Sequence, residues 1–453
     1  MGGVMKKEVR FLPPVLTLLL MIFALWGCGD TSMLTAFKNA ENPTTPSTYS
    51  VTYNGNSNTS GSVPTDPKAY HQGDTVTVLG NTGNLVKTGY TSMGWNTAAN
   101  GSGTTYTQGQ TFTMGTSNVT LYAVWATPLY VTNYGSSGSN GISAYTIGSG
   151  GALSAITGTF TTGSSPAGIA ISPNGNYLYV ANYGSNTVSA YTIGSGGALA
   201  PISGTFTTGS YPGGIAISPN GTYLYVANAG SLTLSAYTIG SGGALSAITG
   251  TFTTGSSPQE IAISPNGNYL YVTNYGSSGP NGISAYTIGS GGALTAITTG
   301  TFTTGIYPNG IAISPNGNYL YVTNSSSSSI SAYTIGSGGA LSPITGTFTT
   351  GSGPYAIAIS PNGSYLYVTN YGSSIISAYT IGSGGALSAI TGTFTTGSFP
   401  GGIAISPKGT YLYVANYGSS SISAYTIGSG GALSPITGTF TTGTGPLGIA
   451  IMP

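Results

Sequence analysis

Along most of the chain, apolar and polar residues alternate in short runs that Gly, Pro, Asn and Ser interrupt at regular intervals. From Gly168 the run Gly-Ile-Ala-Ile-Ser is followed by Pro-Asn-Gly, then by Tyr-Leu-Tyr-Val-Ala-Asn. A Gly/Ser stretch leads to Val-Ser-Ala-Tyr-Thr-Ile, then Gly-Ser-Gly-Gly-Ala-Leu, then Ala-Pro-Ile-Ser-Gly-Thr-Phe-Thr-Thr-Gly. The apolar runs carry the two-residue period of strands, with Val, Ile, Tyr and Thr prominent. Pro-Asn-Gly and Gly-Ser-Gly-Gly are turn sequences, because glycine supplies positive φ without steric cost. The pattern predicts four antiparallel strands per unit.

The unit is about 46 residues long and repeats, which is the size of a β-propeller blade. Tyr-Val-(Ala/Thr)-Asn occurs seven times, ending at Asn133, Asn182, Asn228, Asn274, Asn324, Asn370 and Asn416. The Ile-Ala-Ile strand also occurs seven times, but out of phase: it is first seen at Ile169 and last at Ile449. The array therefore opens on the second strand of a blade, near Pro128, and closes on a first strand. Closure into a seven-bladed ring by the C-terminal strand satisfies both ends and removes the exposed edges of an open array. The predicted class is all-β, with a propeller over residues 128–453.

Four segments are read along the chain. Residues 1–27 are a lipoprotein signal peptide: Lys6, Lys7 and Arg10 precede an apolar run that ends in Leu-Trp-Gly-Cys. Cys28 is the only cysteine and the expected lipidation site, so no internal disulfide is available. Residues 28–48 read as a tether rich in Thr, Ser, Asn and Pro. Residues 49–125 alternate as strands again, in a small β domain, with the propeller from 128.

Two resemblances follow from quoted motifs. VTYNGN at 51–56, TGYTSMGWNT at 88–97, YTQGQTFTMG at 106–115 and VTLYAVW at 119–125 resemble, in that order, the Listeria–Bacteroides repeat of bacterial surface proteins. That resemblance implies a β-grasp-like module over residues 49–125, an envelope location and no chemistry. The repeat half resembles the YVTN family of seven-bladed propellers, which is related in fold to the propeller-type 6-phosphogluconolactonases.

Charge changes the functional picture. Only 3% of residues are charged, and residues 128–453 hold one acid, Glu260, and one base, Lys408, with no Asp, Arg, His or Cys. The lack of a basic patch argues against nucleic acid as a partner. General acid–base catalysis usually takes two placed titratable groups, and a sugar phosphate usually takes Arg or Lys. Glu260 and Lys408 fall at opposite ends of an inner strand and cannot pair. His71, Asp66 and Asp74 form no metal set without a further His or Cys, and no cofactor is expected. The sequence thus predicts a non-catalytic surface lipoprotein, with a structural envelope component as the alternative and a lactonase-like hydrolase as the third reading.

The repeats also show where a ligand would bind. The turns expected on one face, Ser-Pro-Asn-Gly and Gly-Ser-Gly-Gly, are nearly constant. The loops expected on the other face differ from copy to copy, and their variable positions hold Tyr211, Gln259, Glu260, Tyr307, Asn309, Tyr355 and Phe399. Aromatic faces and amides around a channel mouth suit a glycan or a protein ligand. The other expected partner is the membrane, through the lipid on Cys28. A turn of the constant face, at Pro128, would lead to the small domain and the anchor, so the variable face would point away from the membrane.

Overall fold

A computed structural model describes residues 47–87, 90–135, 141–276, 282–300 and 302–453. The signal segment, Cys28 and nearly all of the tether lie outside the described residues.

Among the described residues, seven antiparallel sheets share one order, inner strand to outer strand. Blade 2 shows the plan: Pro166–Ile171, Tyr177–Asn182, Thr187–Ile193 and Leu199–Pro201. Blades 3 to 7 repeat it from the inner strands Pro212–Ile217, Pro258–Ile263, Pro308–Ile313, Pro354–Ile359 and Pro400–Ile405. Blade 1 is assembled from both ends of the array. Its inner strand is Pro446–Ile451, paired through Ile449↔Val131 and Ile451↔Leu129 to the strand Val119–Asn133. The phase shift read from the repeats is thus realised as ring closure.

The second strand is the most buried element of each blade. Tyr179, Leu178, Val180 and Ala181 have no exposed surface, and the corresponding residues of the other blades match them. Burial on both faces explains why Tyr-Leu-Tyr-Val reads as a continuous apolar run in an antiparallel sheet. One side packs on the preceding blade and the other on the next: Tyr179 and Val188 of blade 2 share a core with Ile215, Leu224 and Val226 of blade 3.

Polar groups fasten the same interfaces. The Tyr179 hydroxyl donates to the Gly243 carbonyl of blade 3 at 2.7 Å. Six equivalent bonds run round the ring, ending with Tyr413 to Gly151 at 2.8 Å. Where the motif reads Tyr-Val-Thr-Asn, the threonine adds a latch: Thr323 Oγ1 donates to the Tyr355 carbonyl at 2.8 Å and Thr369 Oγ1 to that of Gly401 at 2.7 Å.

The turns follow their sequence. Ser172 Oγ donates to Asn174 Oδ1 at 2.6 Å and accepts from the Tyr177 N–H at 2.9 Å, and Gly175 has φ 72°. The last run of each unit is not one strand, as the alternation predicted. It splits into Leu199–Pro201 and Phe206–Thr207, both paired with the third strand. Gly204 causes the break: its φ is 143°, and a Cβ there would come within 2.8 Å of the Phe206 ring.

Within residues 52–127, Trp95 is buried against Tyr53 in an edge-on contact of 4.7 Å and donates to the Leu79 carbonyl at 2.9 Å. Strand Thr91–Asn96 pairs with Val119–Asn133, which runs without a break through Ala126 and Thr127. Separately, His71 lies beside Asp74, with Nδ1 3.8 Å from Oδ2, and its backbone N–H donates to the same carboxylate at 2.9 Å.

Candidate functional site

Every inner strand carries a bulge, and the bulges build the site. In blade 4, Pro258 pairs with Asn274 and Ile261 with Val272, so Gln259 and Glu260 together face Thr273 alone. The same two-against-one register recurs in the other six blades. A bulge re-aims the side chains it carries. Here it turns them into a central cavity of about 470 Å³.

Half of the fourteen bulge positions are glycine, which lets neighbouring inner strands approach closely. A Cβ at Gly214 would lie 2.2 Å from the Gln259 carbonyl oxygen. Beside the apolar Ala167, Ala356 and Leu447, four polar residues supply the chemistry of the wall: Gln259, Glu260, Asn309 and Tyr355 all line the cavity. These are four of the seven positions singled out from the repeats. The other three, Tyr211, Tyr307 and Phe399, are absent from the wall and stand half-exposed above it.

Glu260 is the group on which the cavity's electrostatics turn. Burial pushes its carboxyl up to about 7, against a partial offset from the Ile261 N–H. Among the described residues it forms no ion pair. Lys408 lies in the turn at the other end of an inner strand, 5.6 Å from the centre of the Tyr90 ring. Tyr355 is close enough to respond to Glu260: burial first, and then that carboxylate, push its phenol well above the ordinary tyrosine range. At neutral pH the cavity therefore holds a carboxylate near its midpoint of ionisation beside a protonated phenol.

Four further tyrosines, Tyr134, Tyr183, Tyr371 and Tyr417, line the cavity and were missed by the sequence reading. Each follows the asparagine that ends a second strand, in a loop of the variable face whose tyrosines were not singled out. The signal was present, because that position is Ala229 and Ser325 in two other blades. In the ring order they fall on blades 6, 7, 1 and 2, across the channel from Glu260 on blade 4.

Comparison with known proteins adds the family context. Residues 139–248, 240–353 and 337–447 match the family described as "Lactonase, 7-bladed beta-propeller". Residues 49–124 match the Listeria–Bacteroides repeat domain. A Bacteroides uniformis protein described as a "putative 6-phosphogluconolactonase" is similar in structure, with a TM-score of 0.65 and 21% identity over 72% of this chain and 99% of its own. A periplasmic gluconolactonase of Pseudomonas aeruginosa gives 0.63 and 20% over 72% and 99%. At these identities the two structures show the fold. A curated relative from Evansella cellulosilytica, named "Putative Gly-rich membrane protein", is 40% identical over 95 residues, 21% of this chain. The chain spans only 11% of that relative's length. Among the described residues, no helix is long and apolar enough to cross a membrane.

These matches overturn the expectation of a non-catalytic protein, whether a binding lipoprotein or a structural component. The family matched over most of the propeller is one of lactonases. The physical error lay in requiring a pair of charged groups. Enclosure alone brings the carboxyl of Glu260 to about 7, where a base is effective at neutral pH without a charged partner.

Proposed function

Because the chain belongs to the family of seven-bladed β-propeller lactonases, we propose that it hydrolyses a lactone in the central cavity, with Glu260 as general base. One observation carries this reading: the single acid of residues 128–453 stands in the wall of that cavity. Ionised Glu260 takes a proton from water, whose oxygen bonds to the lactone carbonyl carbon. The tetrahedral intermediate then expels the ring oxygen, which takes the proton back from Glu260. The product is the open hydroxy acid, and the carboxylate is regenerated. Tyr355, protonated at any working pH and standing in the same cavity wall, serves the developing oxyanion.

We place this activity at the bacterial cell envelope, with the chain lipid-anchored through Cys28. The basic and apolar leader before that cysteine, the surface-protein repeat at 49–124 and the membrane-protein names of curated relatives support the placement.

The test is hydrolysis of glucono-1,5-lactone, followed by acid release against the buffer rate. The wild-type protein is expected to exceed that rate and Glu260→Gln to fall to it. A Gln variant as active as wild type would remove Glu260 from the mechanism. Membrane fractionation of Cys28→Ala, expected to release the protein, checks the anchor.

A further inference from the structure

An aromatic arc crosses the mouth of the cavity, and opening a small lactone has no use for it. Phe399 stacks on Tyr371 at 5.0 Å, Tyr371 is 6.4 Å from Tyr417, and Tyr417 is 6.4 Å from Tyr134. Tyr134 is 5.9 Å from Tyr183, which stacks on Tyr211 at 5.0 Å. The arc thus passes over blades 6, 7, 1, 2 and 3 and is continuous with the cavity wall. A separate pair, Tyr275 and Tyr307, stacks at 4.9 Å between blades 4 and 5.

The outer member of each stacked pair has an unfavourable backbone. Tyr211, Tyr307 and Phe399 have φ of 55°, 58° and 53°, in the left-handed region. The corresponding residue in the other blades is serine or glycine, also with positive φ. A bulky side chain is an outlier in this region. Stacking accounts for one face of each outer ring, yet 51%, 46% and 48% of these residues stay exposed. Local stability would be served as well by the serine or glycine of the neighbouring copies.

Charge narrows what the exposed rings meet. Glu260 and Lys408 are the propeller's only charged side chains, and Lys408 is turned to Tyr90 at the far end of the inner strand. A phosphorylated or otherwise ionic ligand would find no counter-charge at the mouth. Stacked rings, amides such as Gln259 and Asn309, and many hydroxyls suit a flat, uncharged, hydroxyl-rich molecule: its C–H faces lie on the rings and its hydroxyls meet the amides.

We infer that the substrate is an uncharged oligosaccharide ending in a lactone, with its reducing-end ring in the cavity and its further sugar units laid over the aromatic arc. This rests on the lactonase reading for the end in the cavity, but binding along the arc stands apart from it.

The experiment has two arms. Binding of linear glucose and xylose hexasaccharides, which carry no lactone, is measured by calorimetry for wild type and for the triple variant Tyr211→Ser, Tyr307→Ser, Phe399→Ser. Serine already occupies this position in two blades, so the variant keeps the local fold. Wild type is expected to bind at least one hexasaccharide, and the variant at least tenfold more weakly. Absence of binding to both, or equal binding by the variant, overturns the inference. In the second arm, kcat/KM is compared for glucono-1,5-lactone and for the hexasaccharide lactone. The ratio is expected to favour the longer substrate in wild type and to collapse toward one in the variant. Equal use of both lactones by wild type overturns the inference while the lactonase reading survives. Hexasaccharide binding with no lactone hydrolysed at any length overturns the lactonase reading, and with it the assignment of a lactone end, while the arc keeps its saccharide.

Discussion

Replacing Glu260 with Gln should make the protein more stable in alkali and no more stable in acid. The carboxyl has a folded-state midpoint of about 7, against 4.5 as its reference value. A raised acid is one that the folded state prefers protonated. Between those two pH values the native protein holds the proton that the unfolded chain has lost, so wild-type stability falls as pH rises through this window and levels off above it. At about 1.4 kcal/mol per pH unit, the penalty above pH 7 is roughly 3 kcal/mol. The Gln amide is close in shape and neutral throughout, and its oxygen can still accept from the Ile261 N–H, so it escapes the loss. Urea unfolding of both proteins at pH 4, 5.5, 7 and 8.5, followed by far-ultraviolet circular dichroism, measures the difference. It is expected near zero at pH 4 and about 3 kcal/mol in favour of Gln at pH 8.5. A difference that is flat with pH, or that favours wild type in alkali, would refute the claim that enclosure governs this carboxyl. A gain in stability joined to a loss of hydrolysis would mark Glu260 as a residue kept against the interest of the fold.

The rate of lactone hydrolysis above buffer should rise about tenfold per pH unit below the Glu260 midpoint of about 7 and flatten beyond it, since the base works only when ionised; a profile flat from pH 5 to 8 would exclude it as the base. Tyr413→Phe removes the bond that ties blade 7 to the Gly151 carbonyl of blade 1 and should cost about 1–2 kcal/mol, read as a lower unfolding midpoint in urea. Deleting the strand Pro446–Ile451 leaves Leu129–Asn133 as an unpaired edge, and size-exclusion chromatography should show larger species than the intact chain gives.

The ring was legible because its evidence is repetition. Seven copies of Tyr-Val-(Ala/Thr)-Asn and the shifted phase of Ile-Ala-Ile fix the number of blades and the manner of closure from spacing alone. The site was half legible. Gln259, Glu260, Asn309 and Tyr355 stood out because they interrupt glycines, but they read as loop residues. Their place in the cavity wall depends on the bulge, and the bulge exists only once Pro258↔Asn274 and Ile261↔Val272 are paired. Tyr134, Tyr183, Tyr371 and Tyr417 lie in loops whose variation was visible, but most copies share the tyrosine, so it did not stand out as Gln259 or Glu260 did. Lys408 and Glu260 were rightly separated. What a composition cannot convey is that an enclosed carboxyl needs no charged partner to titrate near neutrality.

Blade 1 joins residues that are very far apart in the chain: the Gly448 N–H donates to Thr132 Oγ1 across 316 positions. Every other blade can form from a single stretch of chain as soon as that stretch is available. This sheet waits for the whole array, so it is the step at which folding is slowest and at which the propeller acquires its cavity at all. It is also the seam. A force drawing residue 128 and residue 451 apart loads the pairing of Leu129 with Ile451 before it reaches any other blade, and the ring would part there first while six blades stay intact.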